Sequence, residues 1–179
     1  MTEVTTYRTR PISDQPAVEH IARIAPDALA VVEDALNHRI KGVLSVVVTD
    51  TFGIVRMGTR AEREAAHVVP TLWRRLTTHA RRPVGPLYGR TAIAPGGLLV
   101  LINARPHHGD LAAVTTTLVH EFVHAVQLSR PGARTKRIAQ LRAEYGLVPM
   151  SRAARRAADR AVDRDEVEAY ALEPLADRL

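Results

Sequence analysis

A chain of 179 residues has room for one domain with a real core, and 46% apolar content places it among globular rather than disordered chains. It contains no cysteine, which excludes disulfides, zinc–thiolate sites and thiol catalysis. The net charge of +6 is carried by scattered arginines, with lysine only at Lys41 and Lys136, and aromatic residues make up 4%, so nucleic acid is not the expected partner.

Residues 1–15 are polar and read as a loose arm ahead of a single domain over 16–179. The arm has no apolar stretch of the kind an export signal needs, and no apolar run approaches the roughly 20 residues that span a bilayer. The expected location is therefore the cytoplasm, with no membrane partner. From Pro16 to Ile40 apolar residues recur at helical spacing, and Pro26 divides them into two short helices. VLSVVV (Val43–Val48) is β-branched and reads as a buried strand. A turn at Thr49–Asp50 leads to a possible second strand, Thr51–Met57. Arg60–Ala80 reads as a helix with Trp73 and Leu76 inside, and Ala80–Pro86 as a loop. Thr91–Asn103 reads as a hairpin turning at Pro95-Gly96-Gly97. Asp110 can cap a helix running to about Leu128, which Arg130-Pro131-Gly132 stops. A helix over Thr135–Tyr145 follows, then a last one from Ser151 to about Glu173, where Pro174 disturbs its end. The order is α+β with helices dominating and a small mixed sheet.

The stretch TLVHEFVHAVQ, Thr117–Gln127, carries the chemistry. His120 and His124 stand at i and i+4, so a helix puts both imidazoles on one face, one turn apart. Their nitrogens can converge on one ion at about 2.0–2.1 Å. Glu121 is turned about 100° round the helix, placed to take a proton from water rather than to bind metal. The pattern is the His-Glu-x-x-His of zinc metalloproteases. Leu118, Val119, Phe122, Val123, Ala125 and Val126 surround these three groups. Three polar side chains in such a setting cost several kcal/mol unless something satisfies them, and a metal does so.

A catalytic zinc takes a third protein ligand. Gln127 and Arg130 occupy the places where one protease group carries its glycine and third histidine, and no histidine follows His124. A downstream ligand is therefore a carboxylate: Glu144, Asp159, Asp163, Asp165, Glu166, Glu168, Glu173 or Asp177. Glu144 ends a charged helix, and its spacing from His124 matches thermolysin-type enzymes. In RDEVEAYALE, Arg164–Glu173, one helical face carries Glu166, Ala169, Tyr170 and Glu173, and another carries Asp165, Glu168 and Leu172. Ala169 would let this helix approach the metal-binding helix closely.

VHEFVHAVQ followed by DEVEAYALE resembles the gluzincin metallopeptidases, over roughly residues 98–173. In that family a glutamate on a later helix completes the site, within Glu-x-x-Ala. The resemblance implies a zincin-like domain with an active-site helix, one zinc per chain, Glu166 as third ligand beside His120 and His124, and Glu121 as general base. Glu168 is the second choice for the ligand. Members commonly hold a histidine with an aspartate or asparagine just after the alanine; here Tyr170 stands there. The resemblance also implies that LLVLIN, Leu98–Asn103, lies at the sheet's edge and pairs with an extended peptide; an ordinary core strand is equally consistent with its residues. His107 and His108 in the following loop, Tyr145 and Tyr170 are candidate oxyanion partners. The expected function is a zinc-dependent peptidase acting on a peptide or protein substrate. The alternative is a zinc-binding structural or assembly module, for instance phage-related, without turnover.

Overall fold

The β-branched run Val43–Val48 forms strand β2 as its composition predicts, and the rest of the sheet is built round it. A computed structural model describes residues 3–8 as backbone, and residues 15–69 and 86–179 in full. Strand β1 (Glu3–Arg8) pairs with β2 in parallel, from Glu3 opposite Val43. The hairpin strands are β3 (Gly89–Ala94) and β4 (Gly97–Ile102), antiparallel with Ala94 opposite Gly97. β4 pairs with β2 in parallel, from Val43 opposite Gly97. The order is β1-β2-β4-β3, a four-stranded mixed sheet.

Two expectations about the sheet change. Glu3–Arg8 is an edge strand rather than part of a loose arm. Val4, Thr5, Thr6 and Tyr7 have strand propensity, and an edge strand needs a backbone partner on one side only, so no hydrophobic alternation announces it. LLVLIN is not an edge: β4 lies between β2 and β3, and the outer strand on that side is β3.

Helix α1 (Gln15–Ala35) runs unbroken through Pro26, where two helices were expected. Ile21, Ile24, Ala25, Ala28, Leu29 and Val32 form one buried stripe on both sides of the proline. Pro26 and Ala22, whose carbonyl loses its amide partner, both face solvent. Water can therefore satisfy the lost bond. Helix α2 (Thr51–Ala65) replaces the expected strand at Thr51–Met57. The Asp50 carboxylate caps it, accepting from the Gly53 amide at 2.7 Å. Ile54, Gly58, Ala61 and Ala65 are buried at helical spacing. The helix expected over Arg60–Ala80 is met only by the end of α2, which starts at Thr51 and stops at Ala65; residues 66–69 are not helical, and Trp73, Leu76 and all but Pro86 of the expected loop lie outside the described residues.

Alternation along β2 and β4 divides the core. Leu44, Val46, Val48, Leu98, Val100 and Ile102 face α1 and helix α3 (Leu111–Ser129). Val47, Leu99 and Leu101 face the other way, onto Ile54 and Met57 of α2. Helix α4 (Ala133–Glu144) and helix α5 (Arg152–Leu172) follow, and a short 3-10 turn, Glu173–Arg178, closes the chain. The architecture is α+β, dominated by helices on a small mixed sheet. Among the described residues no helix is long and apolar enough to cross a membrane.

Candidate metal centre

Helix α3 begins where Asp110 accepts from the Ala113 amide at 3.0 Å. It buries Val114, Leu118, Val119, Phe122, Val123 and Val126 against the sheet and α1. That packing leaves His120 and His124 on its outer side, facing α5. Ala169 is the one fully buried residue of α5. With only a methyl group at the crossing, α5 comes close enough for Glu166 to face both imidazoles.

The three side chains converge. His120 Nε2 and His124 Nε2 are 3.1 Å apart. Glu166 Oε2 is 3.6 Å from His120 Nε2, and Glu166 Oε1 is 3.4 Å from His124 Nε2. Among the described residues this trio alone forms a group of metal-ligand type. The far side of each ring decides what these atoms carry. His120 Nδ1 lies 2.9 Å from Glu173 Oε1, a carboxylate that accepts and does not donate when ionised. His124 Nδ1 lies 2.8 Å from Gln127 Oε1. The Gln127 amide nitrogen donates to Asp165 O at 2.8 Å and to Glu168 Oε2 at 2.9 Å. Both of those are acceptors, which fixes the amide's orientation, so Gln127 presents its oxygen to His124. A neutral imidazole in either place therefore donates from Nδ1 and turns a bare lone pair inward from Nε2.

Two lone pairs at 3.1 Å, facing a carboxylate, repel unless a cation lies among them. The separations suit a metal: atoms about 2.0–2.2 Å from a tetrahedral ion stand roughly 3.2–3.6 Å from one another. The donor set, two neutral imidazoles and a carboxylate, is one that zinc takes in catalytic sites. The fixed Nδ1 partners are the arrangement that orients histidine ligands.

Glu121 is buried beside this group, on the side of β3. The Thr91 hydroxyl lies 2.7 Å from its Oε2 and 2.8 Å from its main-chain oxygen. Burial pushes the carboxyl up to about 7; the Thr91 hydroxyl and the charges of His124 and Arg90 draw it down, and Glu166 adds to the rise. A carboxyl poised there can both take and release a proton near neutral pH.

An open cleft of about 1200 Å³ runs over these groups, between β3, α3, α4 and α5. Tyr170 stands at its wall, 63% exposed, its ring edge-on to His120 at 4.9 Å. His107 also lines the cleft, its Nε2 3.1 Å from Thr117 Oγ1, its ring 4.9 Å from that of Tyr88. Burial lowers its pKa. His108 is exposed, and the Tyr145 hydroxyl accepts from Arg63 at 3.2 Å away from the cleft. Two of the other carboxylates weighed as ligands are engaged elsewhere: Glu144 with Arg137 at 3.4 Å, and Glu168 with Arg130 at 2.9 Å.

Sequence reasoning counted Glu173 among the possible metal ligands, whereas it lies behind the His120 ring at Nδ1; it gave no role to Gln127. Gly89 and Thr91 were missed altogether. Their contact with Glu121 joins residues far apart in the chain, and no local spacing reports it. No family model matches this sequence, and no curated protein or solved structure matches it.

Proposed function

We propose that this chain is a small zinc-dependent peptidase of gluzincin type, with a zincin-like domain, in which His120, His124 and Glu166 hold the metal. The observation that carries this reading is the convergence of three acceptor groups whose tautomers are set from behind, next to a buried carboxyl. A divalent cation bound there would supply Lewis-acid polarisation of a peptide carbonyl and would acidify water.

The chain's own residues do the rest. Glu121 takes a proton from the attacking water at its carboxylate and passes it to the departing amine. Tyr170 stands beside His120 and lines the cleft, the better placed of the two tyrosines to donate to a developing oxyanion; Tyr145 is already engaged. β3 is the outer strand of the sheet and lines the cleft with Gly89, Arg90 and Thr91. An extended peptide can add to such an edge through backbone hydrogen bonds, which fixes the scissile bond over α3.

The test combines metal analysis with cleavage of a broad peptide library. Purified protein should carry about one zinc per chain and lose it on His120→Ala. Glu121→Gln should keep the metal and abolish cleavage. A wild type that binds zinc but cleaves nothing would instead fit a structural or assembly module, and a folded protein that takes up no metal would fit neither.

A further inference from the structure

The general base of a metal-binding helix is expected to be oriented by that helix. Here it is also cradled by the sheet. Gly89 and Thr91 stand two residues apart on β3, so both face α3. Glu121 lies against both. The Thr91 hydroxyl bridges the carboxylate and the main-chain oxygen of the same residue, at 2.7 and 2.8 Å. This ties the side chain back to its own turn of α3. At position 89 there is no side chain, and the space is filled by the base. A Cβ built there would stand 2.5 Å from Glu121 Oε1, 2.7 Å from Cγ and 2.8 Å from Cδ. All three nearest atoms belong to Glu121, so the missing side chain serves that residue.

We propose that the edge strand sets the base: Thr91 and Gly89 are positioning residues for Glu121, the hydroxyl holding its carboxylate and the glycine leaving the room it occupies. The geometric part stands by itself; the kinetic consequence rests on the peptidase reading. Because the same strand offers its outer edge to an extended peptide, one element then places both the substrate and the base. A misplacement of about 1 Å in such a group costs on the order of 10²-fold in rate.

The experiment compares wild type, Thr91→Val, Thr91→Ser and Gly89→Ala as zinc-loaded protein, by two readouts. The first is steady-state peptide cleavage. Thr91→Val should lower kcat roughly 10- to 100-fold with KM little changed, and Thr91→Ser should restore most of it. Gly89→Ala should lower kcat in the same way, because the nearest atoms are the end of a flexible side chain that can shift. A merely structural role for Thr91 would not give a loss confined to kcat and rescued by serine. Wild-type kcat in Thr91→Val would overturn the proposal. The second readout is the side-chain carboxyl ¹³C resonance of Glu121, assigned by its absence in Glu121→Gln. It should move in Thr91→Val and Gly89→Ala and stay near its wild-type position in Thr91→Ser. If it is unmoved in both, the proposal fails. Should the wild type cleave no peptide, the peptidase reading falls, and this resonance still decides the positioning.

Discussion

His120 Nε2 and His124 Nε2 stand 3.1 Å apart while Glu173 and Gln127 hold the δ nitrogens behind them at 2.9 and 2.8 Å. Four groups are thus arranged to present two lone pairs to one point, with Glu166 closing the third side.

A cation at that point stabilises the folded chain. Zinc at about 100 times its dissociation constant should add about 2.7 kcal/mol. For a chain of this size that raises Tm by roughly 5–10 °C in a thermal scan. A chelator should reverse the shift, and His120→Ala or Glu166→Ala should remove it. No shift with zinc at any concentration, in protein that dialysis shows to be metal-free, would rule the site out.

The partners behind the rings should matter almost as much as the ligands. Glu173→Ala and Gln127→Ala should each weaken zinc binding roughly 10- to 100-fold, measured by competition with a chromophoric chelator. Glu144→Ala should leave the affinity unchanged, since its partner Arg137 lies outside the trio. A loss with Glu144→Ala and none with Glu173→Ala would reverse the assignment.

In metal-free protein Glu121 makes the fold pH-dependent. Folded, it keeps its proton up to about 7, while its ordinary value is 4.5. Between these values the folded state binds more protons than the unfolded one, so stability falls as pH rises and levels off above pH 7. Glu121→Gln removes that slope. In chelator above pH 7 the variant should be more stable than wild type by about 1–3 kcal/mol, read from denaturant midpoints at pH 5 and 8. Parallel pH profiles for the two proteins would contradict the burial of a titrating carboxyl.

The crossing of α3 and α5 depends on a single small residue. Ala169 is fully buried there, and Ala169→Leu should cost about 1–3 kcal/mol by overpacking. Because α5 carries Glu166 and Glu173, the same change should also weaken zinc binding. Ala157→Leu on the exposed part of α5 should do neither; equal effects of the two variants on zinc affinity would show that the crossing does not set the site.

Much of this was legible in the chain. The run Val43–Val48, the turn at Pro95-Gly96, the cap Asp110, the start of a helix at Ser151, and the shared face of Glu166, Ala169, Tyr170 and Glu173 all follow from local chemistry. Local signals failed where tertiary contacts outweighed them. Pro26 argues for a break, yet burial on both sides of it holds one helix. Thr51–Met57 has the residues of a strand, yet Asp50 caps it and the sheet buries it as a helix.

The sequence by itself determined the two imidazoles, the glutamate beside them and the absence of any later histidine, because i to i+4 spacing is a property of one helix. Only the tertiary structure decided which carboxylate faces them, which groups fix their tautomers, and that β3 rather than β4 forms the outer strand. Those are distances between elements remote in the chain, set by how side-chain volumes such as Ala169 and Gly89 let the elements approach.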